Sequence, residues 1–140
     1  MKRGKAVGFI VALAAVAAAA GAVEAWAVGS NKSDTTVKAT MVEWKMTLST
    51  KQVPAGKVTF VVRNAGFKKH EFVVIRTNRA PNALPVTDGK ASEAGSQGEI
   101  EEFGPGTKKL TLSLKPGKYV LICNLLRHYK RGQFAGLSVR

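Results

Sequence analysis

The sequence predicts an all-β fold, an antiparallel sandwich of seven to eight strands, on three observations. Short runs rich in β-branched and aromatic residues recur along most of the chain. Pro, Gly and Asn clusters punctuate them at short intervals. No sustained helical period follows the first 27 residues, and no internal repeat is present.

In chain order, Thr36 to Thr40 and Glu43 to Leu48 read as strands, and Val53-Pro54-Ala55-Gly56 as a turn. "KVTFVVRN" (Lys57 to Asn64) reads as a strand broken by Asn64-Ala65-Gly66, and "EFVVIR" (Glu71 to Arg76) as the next. From Thr77 to Gly98 the pattern fades into Pro, Asn, Gly and Ser, which predicts a long surface loop or excursion. Ile100 to Phe103 is a short strand, and Gly104-Pro105-Gly106 a turn. "KKLTLSL" (Lys108 to Leu114) alternates apolar and polar residues, as a half-buried strand does. Lys115-Pro116-Gly117 turns the chain into "KYVLIC" (Lys118 to Cys123), and Phe134 to Arg140 closes the domain.

The first residues, Met1-Lys2-Arg3-Gly4-Lys5, are basic, an apolar run from Ala6 to Val23 follows, and Ala25-Trp26-Ala27 ends it. This is the pattern of a secretory signal peptide, with cleavage expected after Ala27. The rival reading is an uncleaved membrane anchor, which the Ala and Gly content of the run makes a weak one. The expected organisation is therefore a signal peptide over 1–27, a flexible leader over 28–35 and one domain over 36–140, in an extracytoplasmic location, periplasmic or secreted. Cleavage removes Lys2, Arg3, Lys5 and Glu24, so the formal net charge falls from +13 to +11. A single domain of this size can bury a core of its own.

The chain has one cysteine and two histidines. Outside the cytoplasm a lone cysteine cannot form an internal disulfide; it is free, pairs between chains, or binds something. Cys123 ends one strand and Phe134 begins the next, with His128 and Gln133 between them. His70 opens the strand "EFVVIR". In a sandwich, strand ends from distant parts of the chain meet at one pole. Two imidazoles, one thiolate and a weak fourth donor make the ligand set of a blue-copper site. Thiolate favours Cu(I) and imidazole serves both oxidation states.

"NAGFKKHEFVVI" together with "GKYVLICNLLRHYKRGQ" resembles the cupredoxin family of plastocyanin- and azurin-like copper proteins. The likeness spans about residues 37–140 and is strongest in 53–76 and 104–140. It implies a Greek-key β-sandwich that holds one mononuclear type 1 copper. His70 would match the first histidine ligand, Cys123 the thiolate, and His128 the second histidine. Gln133 stands where the usual axial Met would be, as in stellacyanin-type proteins, and its harder amide oxygen should favour Cu(II). Asn64 and Gly66 match the turn before the first ligand, and Asn124 the residue after the cysteine. Leu126-Arg127 replaces the Pro-Gly common before the second histidine. The resulting positive charge favours the reduced centre, opposing the effect of Gln133.

The likeness implies a one-electron carrier and no enzyme activity; a module that buffers or delivers copper, or a sandwich without metal, is the alternative. Zinc is a weaker reading, because structural zinc sites supply four Cys or His. A cysteine nucleophile with His128 as base has no oxyanion feature beside it. A multicopper oxidase needs more histidines than two. Met41, Met46, Trp44 and Phe60 are expected in or near the core, and Glu71 is expected solvated or paired with a cation. Lys68, Lys69, Arg127, Lys130 and Arg131 flank the candidate ligands. A basic pole suits an acidic redox partner or an anionic membrane surface, for a monomeric protein. Nucleic acid is a poor partner for an exported chain.

Overall fold

A computed structural model describes residues 34–140; the signal-peptide reading and nearly all of the leader lie outside the described residues. The strands are β1 (Thr35–Val42), β2 (Lys45–Leu48), β3 (Gln52–Val53), β4 (Gly56–Asn64), β5 (His70–Arg76), β6 (Val86–Thr87), β7 (Lys90–Ala91), β8 (Ser96–Phe103), β9 (Gly106–Leu114), β10 (Gly117–Ile122) and β11 (Phe134–Val139). Among the described residues a single 3-10 turn, Tyr129–Arg131, precedes β11. Three of the strands are two-residue pairings, so eight substantial strands carry the sandwich.

One sheet runs β2-β1-β4-β9 and the other β3-β11-β10-β5-β8, with β6-β7 a separate hairpin. The pairing is not antiparallel throughout. β1 runs parallel to β4, Thr35 opposite Val58 through Met41 opposite Asn64, and β11 runs parallel to β3. Parallel neighbours need a crossover. The chain leaves β1, turns through β2, visits the second sheet as β3, and returns as β4.

The core lies between the sheets. Val37, Ala39, Met41, Val58, Phe60 and Val62 face Phe72, Val74, Tyr119 and Leu121, all of them buried. Phe60 and Phe72 meet across the interface with ring centroids 5.4 Å apart. β4 alternates buried and more exposed positions along its length, as a strand with one covered face must. β5 and β10 do not alternate. Their outward residues Val73, Ile75, Val120 and Ile122 form a second apolar layer with Leu84, Ala91 and Tyr129. The stretch expected to be a surface excursion, 77–98, is thus a cover over the outer face of the second sheet. A strand buried on both faces reads as a continuous apolar run, which explains "FVVI" and "YVLI".

Other boundaries differ from the sequence reading at identifiable places. Glu43 and Trp44 are the turn between β1 and β2 rather than part of a strand. Trp44 has φ 134°, an unusual conformation for a non-glycine residue, so its side chain gives no turn signal. The last part of 77–98 already belongs to β8, which starts at Ser96.

Candidate metal centre

β4 ends at Asn64, and its side chain builds the turn that delivers His70. Its amide donates to Lys68 O (2.8 Å) and Phe103 O (3.1 Å), and its carbonyl oxygen accepts from Gly66 N (3.0 Å). His70 then begins β5 with its ring fully buried. At the same pole β10 ends, and Cys123 follows it, also fully buried. Cys123 N donates to Gln133 O at 3.0 Å, which pins the two ends of the intervening loop.

That loop is held from outside. Asn124 Oδ1 accepts from Ala91 N (2.8 Å), and its Nδ2 donates to Ala91 O (3.0 Å) and Glu93 Oε1 (2.6 Å). Asn124 therefore ties the loop to β7. Arg127 N donates to Gly89 O, and Arg127 takes φ 64°. That is the left-handed region glycine enters without steric cost, so Arg127 carries the backbone turn itself. Gly132, with φ 107°, ends the 3-10 turn and leads to Gln133.

The four candidate side chains converge. Cys123 Sγ lies 3.2 Å from His128 Nδ1 and 3.9 Å from His70 Nδ1. Gln133 Oε1 lies 3.0 Å from His128 Nδ1. The Gln133 amide is oriented by its Nε2, which donates to Val42 O at 2.8 Å and leaves Oε1 facing His128 Nδ1. Donors that share an ion at bond lengths of roughly 2.0–2.3 Å sit about 3–4 Å from one another. The three donor atoms of His70, Cys123 and His128 all lie within 4.8 Å of each other, so they could hold one copper ion. Glu71 N donates to Cys123 Sγ at 3.3 Å, a contact that suits a thiolate.

Burial sets the electrostatics. Desolvation pushes the Cys123 thiol up to about 11, against the hydrogen bonds from Glu71 and Leu125. His70 is held below the ordinary histidine range by desolvation first and then by His128; His128 is lowered mainly by desolvation. Both rings are accordingly neutral at pH 7, as metal ligands need to be. His70, Cys123 and Gln133 are fully buried, while His128 is half-buried.

Two residues that matter here were not read from sequence as part of the site. Trp44, expected near the core, is half-buried at the pole with its ring 4.9 Å from His128 at 85°. The Arg131 guanidinium lies over its face at 4.3 Å. Glu43 places Oε1 3.3 Å from His70 Nε2. Met41 and Met46 are core residues, as is Phe60. Glu71 departs from expectation: it gathers with Glu93 and Glu99, and burial followed by those neighbours raises its carboxyl. The strand pairing β5–β8 explains this, because Glu99 sits opposite Val73 on the adjacent strand.

Outside the centre the pole is basic with apolar points. Phe67 and Leu126 are 78% and 60% exposed. Arg127, Lys130 and Arg131 line an open cleft of about 660 Å³ with Asp88, Gly89 and Leu126. Lys69 is paired with Glu102 at 2.9 Å.

Two packed β-sheets with a His-Cys-His cluster beside a glutamine at one pole define the chain as a protein of cupredoxin fold. Among solved structures, it is similar to dithionite-reduced auracyanin from Roseiflexus castenholzii, with 20% identity over 76% of this chain and 98% of that one at a TM-score of 0.58. It is also similar to auracyanin A, a "blue" copper protein of Chloroflexus aurantiacus (17% identity, 76% and 99% of the chains, TM-score 0.54). Rusticyanin from Thiobacillus ferrooxidans matches at 18% identity over 77% and 79%, TM-score 0.54. At these identities the likeness concerns the fold. No family model matches the chain, and no curated protein matches it.

Proposed function

We propose that the protein is an exported type 1 copper protein that carries one electron at a time and catalyses no reaction of its own. His70 Nδ1, His128 Nδ1 and Cys123 Sγ would hold the ion, with Gln133 Oε1 as a fourth donor. The observation that carries this reading is the convergence of those four atoms in a buried pocket. When bound, copper supplies the Cu(II)/Cu(I) couple. The chain's own part is to fix the donors and exclude water. A donor set already assembled within a packed fold has little to rearrange between the two states. Burial of three of the four side chains favours retention of the ion over its delivery to another protein. His128, the half-buried one, faces the surface through which the electron would pass.

The partner is proposed to be acidic, because Lys68, Arg127, Lys130 and Arg131 are exposed around that surface. Phe67 and Leu126 add apolar contact suited to a small, transient encounter. Export rests on the pattern of residues 1–27; the mass of the protein recovered from its native compartment tests cleavage after Ala27.

The deciding experiment is the visible spectrum with Cu(II). An intense thiolate-to-copper band that disappears in Cys123→Ser supports the centre; bound copper without such a band refutes it. Gln133→Met should raise the reduction potential. An unchanged potential would remove Gln133 from the ligand set.

A further inference from the structure

The end of β1 and the turn that follows it touch three of the four donor residues with three consecutive residues, Val42, Glu43 and Trp44. Val42 O accepts from Gln133 Nε2 at 2.8 Å. Trp44 sets its ring against His128, and its carbonyl oxygen leaves little room for anything larger than Gly132. Between them stands Glu43, whose side chain is only 14% exposed. Its Oε1 accepts from Phe67 N (3.0 Å) and Lys68 N (2.8 Å) and lies 3.3 Å from Nε2 of the fully buried His70. A Cβ at Gly66 would collide with this carboxylate, so the approach is built into the turn that delivers His70.

The proton on His70 has two candidate positions. With Nε2 bare, its lone pair would face an anionic oxygen at 3.3 Å, which is repulsive. With the proton on Nε2, that contact becomes a charge-assisted hydrogen bond. Gln133 Nε2, 3.4 Å from His70 Nε2, already has Val42 O as its acceptor and does not require a bare ring nitrogen. A carboxylate behind a metal-binding histidine fixes its tautomer and ring orientation.

We propose that Glu43 is the positioning residue of the centre: it accepts the His70 Nε2 proton, turns the free Nδ1 lone pair toward Cys123, and sets a fixed negative charge behind the ligand that favours Cu(II). This rests on the copper reading above, yet its first test needs no copper. In the metal-free protein, nitrogen-15 NMR of the histidine rings should find the His70 proton on Nε2. Glu43→Gln keeps an oxygen that can accept the same three N–H groups and removes the charge, so the Nε2–H tautomer should persist. Glu43→Ala removes the acceptor, and the ring should populate both tautomers.

In the copper-loaded protein, Glu43→Gln should shift the Cu(I)/Cu(II) preference about tenfold toward Cu(I), which is about 59 mV for a one-electron couple. Glu43→Ala should weaken Cu(II) binding about 10–100-fold. A proton on Nδ1 in the wild type, or a potential unmoved in Glu43→Gln, overturns the proposal. Should Glu43→Ala not fold, Glu43→Gln and the wild-type tautomer decide it. A protein that takes up no copper yet shows the Nε2 tautomer lost only in Glu43→Ala would sink the copper reading and leave the positioning role standing.

Discussion

Cys123 shows what a single side chain imposes on metal uptake. Its thiol is pushed up to about 11 by burial, whereas His70 and His128 are held below the ordinary 6.5. Near pH 7.5 the free site therefore carries one removable proton, on sulfur. Binding through thiolate should release close to one proton per copper ion. Calorimetric titration in buffers of different ionisation enthalpy should return that number, and the apparent affinity should rise about tenfold per pH unit in this range. Proton release near zero would mean that the sulfur is not a ligand. The convergence of His70, Cys123, His128 and Gln133 was legible in the sequence because one cysteine and two histidines leave few ways to assemble a site. Glu43 was not. It reads as a strand residue, and nothing in "MVEWKM" announces a turn, because Trp44 adopts its positive φ without the glycine or asparagine that usually marks one.

At the level of elements, the 77–95 stretch does more than connect β5 to β8. Tyr129, in the 3-10 turn beside His128, accepts from Leu84 N at 2.9 Å and donates to Pro81 O at 2.8 Å. The cover and the ligand loop are thereby fastened together from both sides, with the hydrogen bonds of Asn124 to Ala91 of β7 as the second clasp. Tyr129→Phe leaves a buried N–H without its partner and should cost about 1–3 kcal/mol in denaturant unfolding. Hydrogen exchange should localise the loss to 77–95 and 124–132. By contrast, Phe60→Ala opens the space between the sheets and should cost about 3–5 kcal/mol, with exchange protection lowered throughout β1, β4, β5 and β10. The strands themselves were readable from composition. The cover was not, since its polar and Pro-rich sequence describes its outer side, while only a few residues such as Leu84 and Ala91 reach inward. The parallel pairing of β1 with β4 was equally hidden, because local patterning specifies a strand's faces and leaves its neighbour's direction open.

For the molecule as a whole, acid and base limits follow from the same buried groups. Below about pH 6.5 the unfolded chain binds protons on His70 and His128 that the folded metal-free chain resists. Stability must then fall as pH drops. Above pH 9.0 the unfolded thiol ionises while the folded one holds its proton to about 11, so stability falls again as pH rises. Melting temperatures of the metal-free protein should form a plateau between these limits. Copper should raise the plateau by mass action and shift the acid limb, because protons and metal compete for the same atoms. The basic pole gives a further prediction. Electron exchange with a small anionic complex should slow as salt is added, and exchange with a cationic one should quicken, the Debye length being about 8 Å at 0.15 M. Equal salt dependence for both would argue against steering by that face.

Trp44 has one more use. The chain's two tryptophans are Trp26, within the segment expected to be removed, and Trp44, edge-on to His128. The processed protein would thus carry a single indole fluorophore, in contact with the centre itself. Its emission should be quenched when Cu(II) is taken up and recover in part on reduction, which makes loading and electron transfer observable in the protein without an added dye.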